Sequence, residues 1–120
     1  MSAARSLDVG PLSRLMKALG DETRLRMVAL LAHGELCVCH LEEALGLTQS
    51  GTSRQLAVLR AAGVVEARRE GSWMFYRLAP QLDGLTKSQL RALVRAFSKR
   101  ERLRSDVERL LEAKGPRACR

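Results

Sequence analysis

The 120-residue chain is poor in aromatic residues: Trp73, Phe75, Tyr76 and Phe97 make up 3% of it. A core without aromatic bulk has to come from Leu, Val, Ala and Met, which favours a mainly helical fold. Long apolar runs are also missing. The longest, Met27 to Ala32, is far too short to span a bilayer, and the opening MSAARSLDVG has no apolar h-region of a secretion signal. A cytoplasmic protein without membrane contact is expected. Three cysteines, an odd number in a chain with no export signal, argue for reduced thiols rather than a disulfide framework, so thiol chemistry is expected to be available. Acidic residues are in short supply as well: 13 against 21 Lys and Arg, for a formal net charge of +8. That imbalance is the footprint of a polyanion binder, with nucleic acid ahead of a membrane surface.

There are no internal repeats and no low-complexity tracts, and the length suits one domain over residues 1–120, with flexible tails at 1–10 and 113–120. Pro11 opens a short helix carrying Leu12, Leu15, Met16 and Leu19, which Gly20 stops. Asp21 caps the next, where Leu25, Val28, Leu31 and Ala32 recur at helical spacing, Arg24 and Arg26 lie off the stripe, and Gly34 closes the segment. A third helix runs from about Cys39 to Leu45 and stops at Gly46. Thr48 caps a fourth, with Leu56, Leu59 and Ala62 on one face and Gly63 at its end.

After Gly63 the period changes from helical to alternating. VVEARREGSWMFYRLA reads as a β-hairpin turning at Glu70-Gly71-Ser72. Thr86 and Gln89 form a capping-box pattern ahead of a long amphipathic helix bearing Leu90, Leu93, Val94, Phe97, Leu103, Val107, Leu110 and Leu111, with a break in the stripe at 98–102. So long an apolar face is most simply covered by a second copy of the chain.

About five helices plus a two-stranded wing make a winged helix-turn-helix. On the outer face of its second helix the expected DNA contacts are Gln49, Ser50, Thr52, Ser53, Arg54 and Gln55, joined by Arg68 and Arg69 on the first wing strand.

The stretches LGDETRLRMVALL and GELCVCHLEEALGLTQSGTSRQLAVLRAAGVVEARREGSWMFYRL resemble the ArsR/SmtB winged-helix repressors over roughly residues 12–78. The resemblance implies a homodimer built on the first and last helices. It also implies binding to an inverted-repeat operator, with release when a toxic metal or metalloid binds and no cofactor needed for DNA binding.

Cys37 and Cys39 are the expected effector ligands. In a helix, residues i and i+2 point about 200° apart, whereas on extended backbone they share a side. Gripping one ion is therefore expected to compete with an intact first turn of the third helix. The arsenic-sensing relatives carry a third cysteine where this chain has Glu42, a hard ligand ill-suited to a soft centre. Three sources of completion stand open: Cys119, a small cellular thiol, or an effector that needs only two sulfurs. The effector classes are As(III), Sb(III) and trivalent methylarsenite.

Cys37, Cys39 and His40 with a distant fourth group would suit Zn(II) or Cd(II), and a thiol-redox repressor of the same fold is the further alternative. A thiol enzyme is disfavoured, since no base with an orienting acid is apparent and the Cys-x-x-Cys spacing is absent.

Overall fold

The computed structural model describes residues 9–80, 84–97, 105–106, 108–110 and 112. Helices α1 (Gly10–Ala18) and α2 (Glu22–Leu31) come first, then a two-residue strand β1 (Leu36–Cys37), α3 (Val38–Leu45), α4 (Gln49–Ala61), strands β2 (Val65–Glu70) and β3 (Trp73–Leu78), and α5 (Gly84–Phe97). Beyond α5, the described residues between 105 and 112 are helical. None of the described helices is long and apolar enough to cross a membrane.

The local signals hold where they are short-range. The Asp21 carboxylate accepts from the Arg24 backbone N–H at 3.1 Å, and Thr48 Oγ1 accepts from Gly51 N–H at 3.0 Å, so both helices start where their caps stand. Gly46 ends α3 with φ +66°, a left-handed conformation that a side chain would strain. Helix α2 lies at the centre: Met27, Val28, Leu30 and Leu31 are buried among Leu15 of α1, Leu41 of α3, Leu56 and Leu59 of α4, and Leu90 of α5.

Several expectations need correction. The wing is a hairpin as expected, but the sheet has three strands in the order β1-β3-β2, with Leu36 opposite Tyr76 and Cys37 opposite Phe75. Thr86 is not a cap. Helix α5 begins two residues earlier, and Thr86 is buried within it. Gly10, expected in a flexible tail, already starts α1. Leu103, Val107, Leu111, the stripe break at 98–102 and the tail 113–120 lie outside the described residues.

The largest departure concerns Arg26, expected to lie off the apolar stripe. It is buried, and its Nε and Nη2 donate to the two carboxylate oxygens of Asp106 at 2.7 and 2.8 Å, with Asp106 fully buried. A two-pronged bond of this kind pins the C-terminal helix to the central helix across 80 residues of sequence. The pair is a lock more than a net source of stability, because desolvation offsets much of its attraction. Removing one partner leaves the other charge buried alone. Asp106→Ala should therefore cost about 3–5 kcal/mol in urea unfolding. A loss under 1 kcal/mol would show that Arg26 escapes to water.

Candidate DNA-binding face and thiol pair

Helices α3 and α4 meet through Gly46-Leu47-Thr48, where Leu47 N–H donates to Glu42 O at 3.0 Å and closes the turn. Helix α4 buries Thr52, Leu56 and Leu59 and leaves Gln49, Ser50, Ser53 and Arg54 outward. Thr52 thus departs from the expected DNA-facing set. It is 0% exposed, and its hydroxyl donates to Thr48 O at 2.8 Å. Its place four residues before Leu56 on the inward stripe was the signal in the sequence. Gln55 is half-buried at the edge of this face, and its Oε1 accepts from Arg24 Nη1 at 2.8 Å.

On the wing the arginines are not equivalent. Arg68 donates from Nε and Nη2 to Glu35 at 3.0 and 2.8 Å and from Nη1 to Glu70 at 2.6 Å, while its guanidinium lies 4.7 Å from the centre of the Phe75 ring. The Arg68 hydrogen bonds hold the Glu35 carboxyl below its ordinary range, against a smaller opposing effect of burial. Arg77 pairs with Glu66 at 3.0 Å. Arg69 and, on α4, Arg54 are exposed and make no ion pair among the described residues. Glu35, which the sequence reading passed over, therefore controls a wing arginine from the loop before β1.

The two sulfurs meet at the junction of β1 and α3, where Cys37 is a free thiol and Cys39 is disulfide-bonded, against the expectation of three reduced thiols. Cys37 is extended (φ −73°, ψ 148°), 2% exposed, and is at once the last residue of β1 and the N-cap of α3. Its backbone N–H donates to His40 Nδ1 at 3.4 Å. Cys39 is half-buried in the first turn, with its Sγ 3.1 Å from Cys37 Sγ. This corrects the expected competition. With Cys37 extended and α3 starting at Val38, both sulfurs share a side while the first turn stays intact. Cys119 lies outside the described residues. Among the described residues no group of three or more His, Cys, Asp or Glu side chains is set to hold a metal ion.

Two helices in a tight turn, the second outward and polar, followed by a basic hairpin, define a winged helix-turn-helix DNA-binding domain. The sequence profile of the bacterial regulatory protein, arsR family, matches residues 21–67. The chain is 44% identical over 110 residues to the arsenic resistance transcriptional regulator ArsR1 of Pseudomonas putida, covering 88% of this chain and 84% of that one. Among solved structures, the transcriptional repressor BigR from Xylella fastidiosa superposes with a TM-score of 0.67 at 33% identity, over 84% of this chain and 97% of that one. A homodimeric winged helix-turn-helix DNA-binding domain from Mycobacterium bovis superposes with a TM-score of 0.60 at 38% identity, over 73% and 78% of the two chains. The chain belongs to the arsR family of bacterial regulatory proteins: it is a transcriptional regulator and not an enzyme.

Two predictions follow from the free and the engaged arginines. Arg54→Ala or Arg69→Ala should weaken DNA binding about equally on all sequences and lower the slope of log affinity against log salt by about 1. Titrations at several salt concentrations read both quantities. Glu35→Gln should tighten binding roughly two- to five-fold, as expected for release of one exposed ion pair. The effect has a pH sign: the depressed Glu35 carboxyl keeps its grip on Arg68 above the ordinary carboxylate range and loses it as pH falls below. Weaker binding by Glu35→Gln would mean that Glu35 holds Arg68 in its working position.

Proposed function

We propose that this regulator is a metalloid-responsive repressor that binds an inverted-repeat operator as a homodimer and, with Cys39 reduced to the thiol, leaves it when trivalent arsenic or antimony bridges Cys37 and Cys39. The observation that carries the reading is the sulfur pair at a junction tied to both DNA-facing elements. Sulfurs 3.1 Å apart, each about 2.3 Å from a shared atom, subtend about 85° there, whereas a tetrahedral ion asks for about 109° and a separation of about 3.8 Å. A pyramidal metalloid, which bonds at close to a right angle, fits the pair better than Zn(II) or Cd(II). The donors are soft, as its chemistry requires. His40 Nδ1 faces the Cys37 N–H and acts as a cap, which weakens the zinc reading further. Cys119 is the proposed third sulfur for the inorganic ions; methylarsenite needs only two.

Release has two short routes from this site. Forward along the chain, α3 packs on α4 and positions its outer face, where Gln49, Ser50, Ser53, Arg54 and Gln55 are the proposed contacts. Sideways, Cys37 is the cross-strand neighbour of Phe75, which is itself opposite Arg68. Opposed side chains on one sheet face are in contact range, so a pull on Cys37 reaches the wing directly. Arg68 and Arg69 are the proposed wing contacts. Dimerisation is supported by apolar side chains left outward on α1 and α5, with Met16 45% and Leu85 44% exposed.

The test is operator release followed by fluorescence anisotropy. Driving a repressor from mostly bound to mostly free takes a differential affinity of about 10⁴. With reductant present to free Cys39, Cys37→Ser or Cys39→Ser should bind the operator as the parent does and stay bound as arsenite is added. Cys119→Ser should blunt the response to arsenite and leave that to methylarsenite nearly unchanged. The reading fails if the Cys37→Ser, Cys39→Ser double variant leaves at the parental arsenite concentration. Release by peroxide without arsenite would favour redox control, and release by zinc or cadmium alone would favour the metal alternative.

A further inference from the structure

Gln55 is the one proposed base-reading side chain whose orientation is set by another residue. Arg24, in the first turn of α2, is held at two points: its Nε donates to the Ala18 carbonyl at the end of α1 at 2.5 Å, and its Nη1 donates to Gln55 Oε1 at 2.8 Å. A guanidinium has donors and no acceptor, so only the oxygen of the Gln55 amide can face it; the reversed amide would set N–H against N–H. The Nε2 amino group is thereby turned away from Arg24, and it makes no hydrogen bond among the described residues. A side chain that ordinarily both donates and accepts is left presenting donors.

We infer that Arg24 is a positioning residue for base preference: it fixes Gln55 as a hydrogen-bond donor, so that Gln55 reads guanine in preference to adenine at one position of each half-site. The inference rests on the proposed entry of α4 into the major groove. Glutamine reads adenine by accepting from N6 and donating to N7, and that bidentate pair uses the amide oxygen. Here the oxygen is engaged by Arg24, and the cation behind it opposes the positively polarised N6 amino group of adenine. Guanine presents N7 and O6, two acceptors side by side, which match the two N–H groups of Nε2. Arg24 is half-buried and tied to α1 and α4, so it acts through Gln55 and not by touching the DNA backbone.

The experiment is selection from an operator library randomised in both half-sites, using the full-length dimer and its variants. The parent should prefer guanine over adenine at one position by roughly ten-fold or more, in line with the discrimination of a bidentate contact. Gln55→Ala should flatten that position alone. Gln55→Glu retains a partner for Arg24 and replaces the outward donors by an acceptor, so preference should move to cytosine, which offers its N4 donor. Arg24→Met frees the amide to turn and should admit adenine, with the salt dependence of binding unchanged because no phosphate contact is lost.

A folded Arg24→Met dimer that keeps the guanine preference overturns the inference. So does a parental preference for adenine at the Gln55 position. Should Arg24→Met fail to fold, Gln55→Glu decides: absence of a shift to cytosine overturns the inference equally. If the Gln55 variants change no position while salt-sensitive binding persists, the reading of α4 as the base-contacting helix fails along with it.

Discussion

Cys37 has to end a strand and begin a helix at the same residue, and the functional half of the molecule is arranged around that requirement. Its extended backbone serves both roles, pairing with Phe75 on one side and capping α3 on the other, with His40 Nδ1 accepting from its N–H. Three consequences follow. Cys39, in the first helical turn, lies with its sulfur against that of Cys37. Glu35, two residues earlier, is brought to the wing and grips Arg68. Helix α3 starts at a fixed point relative to the sheet, so α4, joined to it by a three-residue turn, inherits that position.

Charge is distributed less freely than the formal +8 implies. Arg24 is engaged with Gln55 and the Ala18 carbonyl, Arg26 with Asp106, Arg68 with Glu35 and Glu70, and Arg77 with Glu66. Four arginines close to the core and the wing thus do internal work, fixing one helix against another or shaping the sheet. Arg54 on α4 and Arg69 on the wing are left outward. A basic pI announces a polyanion partner, but the geometry decides which cations can meet it. Arg68 stands between the two groups: exposed enough to reach a phosphate and bound to two carboxylates that compete for it.

What was legible in the sequence was what is local. Asp21, Gly46, Thr48 and Gly63 act within a turn of themselves, and each stands where the structure uses it. The β-hairpin was legible for the same reason, since alternation and a glycine turn need no distant partner. Strand β1 was not, because two residues are too few to show a period, and Leu36 and Cys37 are extended only through pairing with β3, some 38 to 40 positions on. Arg26 was expected off the apolar stripe, and its burial was not legible because the carboxylate that permits it is Asp106, 80 residues away. Thr52 was assigned to the DNA face on side-chain type, while its spacing from Leu56 and Leu59 placed it in the core. Within the cysteine site the residues were legible and their relation was not: the expected conflict required non-helical backbone around Val38, whereas an extended Cys37 lets the two sulfurs meet with Val38 already helical.

That arrangement changes how release has to operate. A ligand moves an equilibrium only by binding one state better than another. In the structure the sulfurs already lie together with α3 intact, so unwinding the helix is not the step that discriminates. For a bridging metalloid to expel DNA, the operator-bound form must be the one in which the junction is held less favourably for it. Arg68 supplies a physical basis for such a difference. If it turns to a phosphate when DNA binds, Glu35 loses its partner, and the loop entering β1 loses its tie to the wing two residues before Cys37. Conversely, in the proposed mechanism a metalloid clamping Cys37 to reduced Cys39 would stiffen the junction in the geometry that favours the Glu35 to Arg68 bond, and so would withdraw Arg68 from the DNA. The Glu35 carboxylate and the proposed phosphate are thus mutually exclusive partners of Arg68. Under the proposed function that exclusion, more than any unfolding of α3, is where cysteine chemistry and DNA affinity would meet.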